Sequence, residues 1–154
     1  MRRSSPATAG PVVTAGPVTA AGPNPGPRNA AEPLPTLLAD GLLTERLALA
    51  VPEGTRTVVA EYEIQPGHSL PWHYHEGRVV AVVTAGVLTR TLADGSECVT
   101  PAGGCIVEPV GPRGVHMAEN REPEPLRICA LFFLPRGSPL STRAEPPAGP
   151  AGRR

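Results

Sequence analysis

The chain has 154 residues, enough for one domain, and its formal net charge is zero with no long basic run, which argues against a nucleic-acid face. It contains no lysine, which removes Schiff-base chemistry and a lysine general base, and its three cysteines form no paired pattern that would make a disulfide scaffold. No apolar run approaches the roughly 18–20 residues that span a bilayer, and no uninterrupted apolar stretch follows Arg2 and Arg3 as a secretory signal requires, so the expectation is a cytoplasmic protein with no membrane partner.

Residues 1–36 are of low complexity. Gly-Pro recurs at 10–11, 16–17 and 22–23. Such a segment buries little apolar surface and donates few backbone hydrogen bonds, so it reads as a disordered or polyproline-like tail. Folded character begins near Leu37, and residues 37–136 read as one domain. Asp40-Gly41 is a turn signal, and a strand is expected over Thr44–Ala50. Pro52–Gly54 is a turn, and Arg56–Ile64 has the β-branched and aromatic content of a strand.

The next stretch, Pro71–Gly86, reads PWHYHEGRVVAVVTAG. Its latter part, Arg78–Ala85, is a nearly continuous apolar run of strand length. Gly86 connects it tightly to an alternating strand, Val87–Leu92. Ala93–Ser96 is a hairpin signal, and short strands follow at Glu97–Thr100, Cys105–Glu108 and Val115–Glu119. Leu126–Leu134 is a long apolar strand. From Pro135 the chain becomes proline-rich, and 137–154 reads as a C-terminal tail. Many short strands between closely spaced turns predict an all-β barrel or sandwich.

The histidines carry the chemistry. On a strand, side chains at i and i+2 share a face about 6.5–7 Å apart, so His73 and His75 can lean onto one ion, with Trp72 and Tyr74 on the opposite face. On a helix the same spacing would point them apart. His116 is the natural third ligand, on a strand that must return beside the first. His68 follows Gly67 in a turn and reads as a surface residue. Three buried imidazoles each need a polar partner, and one divalent transition metal ion (iron, manganese, zinc or nickel) satisfies all three.

Gly67, then His73-Tyr74-His75, then Gly86 resembles the first motif of the cupins. Gly103, Pro109, Gly111, His116 and Asn120 resemble the second. The resemblance implies a jelly-roll β-barrel, metal ligation by His73, His75 and His116, a small-molecule ligand or substrate, and commonly a homodimer. The chain departs from the pattern twice. Val79 stands where the family's glutamate ligand is expected, and His116 lies two residues further from Gly111 than usual. Three-histidine cupins include iron-dependent dioxygenases acting on thiols or diketones. Lewis-acid isomerase or lyase chemistry is equally open, and non-catalytic ligand binding or sensing is the alternative.

Other acids compete for the vacant carboxylate role. Glu76 follows His75 directly, and is either a fourth ligand or a solvated turn residue. Glu61, Glu63 and Glu108 lie on neighbouring strands, and one of them facing inward would serve as a hydrogen-bond partner of the ligands or as a general base. The strand register decides between them. Val79, Ala81 and Val83 are the expected apolar lining. Cys98 and Cys105 flank one turn and can face each other across a hairpin. Cys129 reads as a small core residue.

Overall fold

The structure is a computed structural model that describes residues 35–147. The tail read over 1–36 lies outside the described residues except for its last two positions, as do residues 148–154. Ten strands occupy the described chain: β1 (Leu42–Leu43), β2 (Arg56–Ile64), β3 (Ser69–Tyr74), β4 (Arg78–Ala85), β5 (Val87–Leu92), β6 (Glu97–Pro101), β7 (Gly104–Glu108), β8 (His116–Glu119), β9 (Leu126–Leu134) and β10 (Thr142–Arg143). They form two five-stranded sheets, ordered β1-β7-β4-β9-β2 and β10-β3-β8-β5-β6. This is the all-β, double-sheet jelly roll implied by the resemblance.

The core follows the two-residue period of strands. On β4 it takes Val79, Ala81 and Val83, and on β9 Leu126, Ile128, Ala130, Phe132 and Leu134. The apolar run of β4 is therefore split between two faces. Val80 and Val82 point the other way, and Val82 is covered by the chain around Gly41, where an added Cβ would lie 2.7 Å from Val82 Cγ1. Gly86, at φ 74°, carries the chain from one sheet to the other, and a Cβ there would stand 2.9 Å from the Pro125 carbonyl oxygen.

Four local expectations are corrected. No strand forms over Thr44–Ala50; instead Leu42–Leu43 adds a two-residue parallel edge to β7, and the chain then leaves the sheet. The segment 44–50 finds no strand partner; only Leu42 and Leu43 pair, with Gly104 and Cys105 of β7. Cys98 and Cys105 do not face each other across a hairpin, because β6 and β7 belong to different sheets; all three cysteines are free. Cys129 lies on the outward side of β9, opposite Val82, and is half-buried. Beyond 136 the chain still contributes structure. β10 pairs antiparallel with β3, Thr142 opposite Tyr74 and Arg143 opposite His73, and Ala144 N–H donates to the Trp72 carbonyl at 2.9 Å.

Asn120 fastens two loops at one end of the barrel. It is fully buried, and its Nδ2 donates to the carbonyls of Ile64 at 2.9 Å and Glu124 at 2.8 Å. Its Oδ1 accepts from the Glu122 N–H at 3.0 Å. Asn120→Ala removes three hydrogen bonds and strands buried backbone groups, so a loss of about 2–3 kcal/mol is expected. The denaturant midpoint measures it; a change under about 0.5 kcal/mol would contradict this role.

Candidate metal centre

A register shift aims the histidines inward. On β3 and β8, Leu70 is opposite Ala118, but His73 is opposite His116, so one extra residue is inserted between Leu70 and His73. A one-residue slip moves every following side chain to the other face. Without it the residues in phase with Leu70 would be Trp72 and Tyr74; with it they are His73 and His75. Pro71, which lacks an N–H, sits inside this irregularity where no ladder bond is required of it. Trp72 is among the residues that border the cavity beside His73 and His75. The longer spacing before His116 is absorbed by a 3-10 turn at Pro112–Gly114.

His73, His75 and His116 are all buried and each brings one ring nitrogen within 4.8 Å of the others. Their tautomers follow from their backbone partners. Nδ1 of His73 lies 2.6 Å from the Pro71 carbonyl, Nδ1 of His75 lies 2.7 Å from that of Leu140, and Nδ1 of His116 lies 2.8 Å from that of Gly114. A carbonyl only accepts, so each Nδ1 carries hydrogen and donates it. Each neutral ring then presents an Nε2 lone pair, the form a metal ligand needs. The Leu140 contact comes from the segment that the sequence reads as tail.

Glu108 stands beside them and is also buried. Its Oε2 is 2.8 Å from His75 Nε2 and its Oε1 is 3.3 Å from His116 Nε2. Arg90, buried as well, approaches Oε1 at 4.0 Å. Burial works to push the Glu108 carboxyl up, but the neighbouring His116 and His75 rings outweigh it and hold the group well below the usual carboxylate range. Burial likewise opposes charge on His116, yet the Glu108 carboxylate prevails and raises that ring above its ordinary value. For His73, burial dominates and lowers it. Three neutral imidazole lone pairs are thus brought together, with a carboxylate beside two of them, and all are acceptors. Such a set is satisfied by a cation, and nitrogen and oxygen donors of this kind suit a divalent transition metal ion.

The remaining acids lie elsewhere. Glu76, Glu61 and Glu63 are exposed, and Glu63 accepts from Arg127 on the surface at 2.9 Å. His68 is exposed too. Ile106 and Glu108 alternate onto one face of β7, which is the signal that separates Glu108 from the other candidates. Arg90 was not singled out in the sequence, although it shares the Leu88 face of β5 and so must point inward.

His73, His75 and Glu108 line a cavity of about 210 Å³, with His116 buried behind them. Val79, Ala81, Leu88, Ile106, Ala118 and Phe132 make up much of its wall, while Val83 packs in the core. Tyr62 adds a phenol whose ionisation is pushed up by burial and by Glu108, so it stays protonated. Ser141 and Arg143, beside and on β10, also line the cavity.

Comparison with known proteins agrees with this architecture. The family described as "Cupin domain" matches residues 60–133. A double-stranded β-helix protein from Klebsiella pneumoniae aligns with 24% identity and a TM-score of 0.51, covering 58% of this chain and 75% of that one. The polyketide cyclase RemF from Streptomyces resistomycificus aligns with 24% identity and a TM-score of 0.50, over 62% of this chain and 67% of that one. The DMSP lyase DddQ from Ruegeria pomeroyi aligns with 14% identity and a TM-score of 0.51, over 58% of this chain and 44% of that one. No curated protein sequence matches the chain. With the motif residues, the two-sheet jelly roll and the family match in agreement, residues 60–133 of the chain form a cupin domain.

Proposed function

We propose that His73, His75 and His116 hold one divalent transition metal ion (iron, manganese, zinc or nickel) at the wall of the apolar cavity. On this reading the protein is a mononuclear non-haem metal enzyme acting on a small molecule bound there. One observation carries the reading: all three Nδ1 atoms are committed to backbone carbonyls, which leaves three Nε2 lone pairs gathered at one point in a buried site. Bound there, such an ion supplies Lewis acidity, and iron adds redox chemistry with dioxygen.

The chain's own residues define what else the site does. The apolar walls exclude water and select a compact ligand with an apolar body. The protonated Tyr62 hydroxyl is a hydrogen-bond donor inside the cavity. The Leu140 carbonyl orients the His75 ring, so the C-terminal strap belongs to the site. The substrate class that fits is a small molecule with an oxygen or sulfur head for the ion and an apolar remainder. The reaction is either Lewis-acid lyase or isomerase chemistry, or an oxygen-dependent cleavage.

A second reading, a non-catalytic small-ligand binder or sensor, draws on one feature. Apart from the histidines and Glu108, the polar groups lining the cavity are confined to Tyr62, Trp72, Ser141 and Arg143, which offers few groups for proton transfer. The test is incubation of the metal-loaded protein with thiols, diketones and hydroxy acids, following oxygen uptake and products by mass spectrometry. Turnover abolished by a chelator and restored by metal supports the enzyme. Bound ligand with no turnover supports the second reading. Turnover that survives complete metal removal contradicts the proposed site.

A further inference from the structure

The position expected to hold the glutamate ligand is Val79 on β4, and its cross-strand partner on β7 is Glu108. Directly opposed residues of an antiparallel pair have Cβ atoms about 4.5–5.5 Å apart and lie on one face of the sheet. A carboxylate at 108 therefore enters the barrel interior beside the place that one at 79 would occupy. Its longer reach is met by the rings: one carboxylate oxygen lies 2.8 Å from His75 Nε2 and the other 3.3 Å from His116 Nε2.

These contacts are close, yet they are not aligned as hydrogen bonds; both Nε2 atoms lack a hydrogen-bond partner among the described residues. Two donor atoms each bound at about 2.0–2.2 Å to one ion stand roughly 2.8–3.6 Å apart when they subtend an octahedral or tetrahedral angle. The Glu108 contacts with His75 and His116 fall within that interval; the ligand atoms that lie within 4.8 Å of one another are those of the three histidines, so the carboxylate meets the site from the side of His75 and His116. Arg90 at 4.0 Å is the neighbouring cation and is too distant for a direct hydrogen bond to the carboxylate.

The geometry points to Glu108 as the fourth protein ligand of the metal, a carboxylate supplied by β7 in place of the one missing from β4. This inference rests on the reading of the three histidines as a metal site. Four protein ligands, one of them anionic, reduce the local charge of a divalent ion. A six-coordinate ion held through one Glu108 oxygen keeps two positions, and one held through both oxygens keeps a single position.

The test uses Co(II) as the probe with the full chain, reading affinity by chelator competition and ligand set by the visible spectrum. Glu108→Gln is expected to weaken Co(II) binding by about 100-fold or more and to change the spectrum. Wild-type affinity with an unchanged spectrum in Glu108→Gln overturns the inference while leaving the three-histidine site intact. Weaker binding with an unchanged spectrum also overturns it, because Glu108 would then only position the rings. Wild-type protein that binds Co(II) no better than His116→Ala overturns both this inference and the proposed site. Should Glu108→Gln fail to fold, the carboxylate stretch of the wild-type chain answers the question. A shifted band on adding one equivalent of Zn(II) supports ligation, and no shifted band overturns it.

Discussion

His73→Ala, His75→Ala and His116→Ala are each expected to lose stoichiometric metal, with affinity falling more than about 100-fold. Loss of a group that merely orients a ligand already costs about 10–100-fold, and loss of a ligand exceeds that. His116→Ala should be the most severe. Its side chain is almost wholly enclosed and directly opposes His73 across the β3–β8 pair, so water cannot readily replace it. The same ligands set the pH dependence. Metal requires neutral imidazole, and protons compete with it. Because Glu108 raises His116, that competition begins above the ordinary imidazole value of about 6.5, and affinity falls steadily as the solution is acidified. Chelator competition at several pH values checks both points. A single alanine variant with wild-type metal content would break the three-ligand account.

Gly77→Ala should be among the most destabilising single substitutions in the domain, at more than about 3 kcal/mol. Gly77 lies two residues past His75, where the chain runs directly against β9. A Cβ there would overlap the Phe133 carbonyl oxygen and stand 3.0 Å from Leu134 Cα. Neither neighbour is a side-chain tip that can rotate away, because Phe133 is paired with Arg78 and with Thr57 in the middle of a sheet. Relief requires separating β4 from β9, the strands that carry most of the core. Since His75 is tied to the Leu140 carbonyl on one side and followed by Gly77 on the other, metal affinity should fall with stability. Urea unfolding measures the first effect, and a loss under about 1 kcal/mol would show that the backbone yields more easily than the packing implies.

The strands that could be read from the sequence are those whose signals are local. Arg56–Ile64, Arg78–Ala85, Val87–Leu92 and Leu126–Leu134 have the bounds that their content and flanking turns predict. Thr44–Ala50 fails because a strand needs a partner, and only Leu42–Leu43 finds one, on β7. The approach of His73, His75 and His116 follows from spacing and motif, but the means by which they turn inward does not. The extra residue near Pro71 is a property of the pairing between β3 and β8, and no local pattern in PWHYH encodes it. The carboxylate is an intermediate case. Glu61, Glu63 and Glu108 look equivalent until register is known, although Glu108 shares a face with Ile106. Leu140 acts through its backbone carbonyl, which carries no side-chain signature in any sequence.

Metal analysis of the protein purified without an affinity tag tests the central claim most directly. The account predicts one divalent transition metal ion per chain, removed by a chelator and rebound by the wild-type chain but not by His116→Ala. Protein that carries no such ion, and that takes up none when iron, manganese, zinc or nickel is supplied at neutral pH, would contradict it.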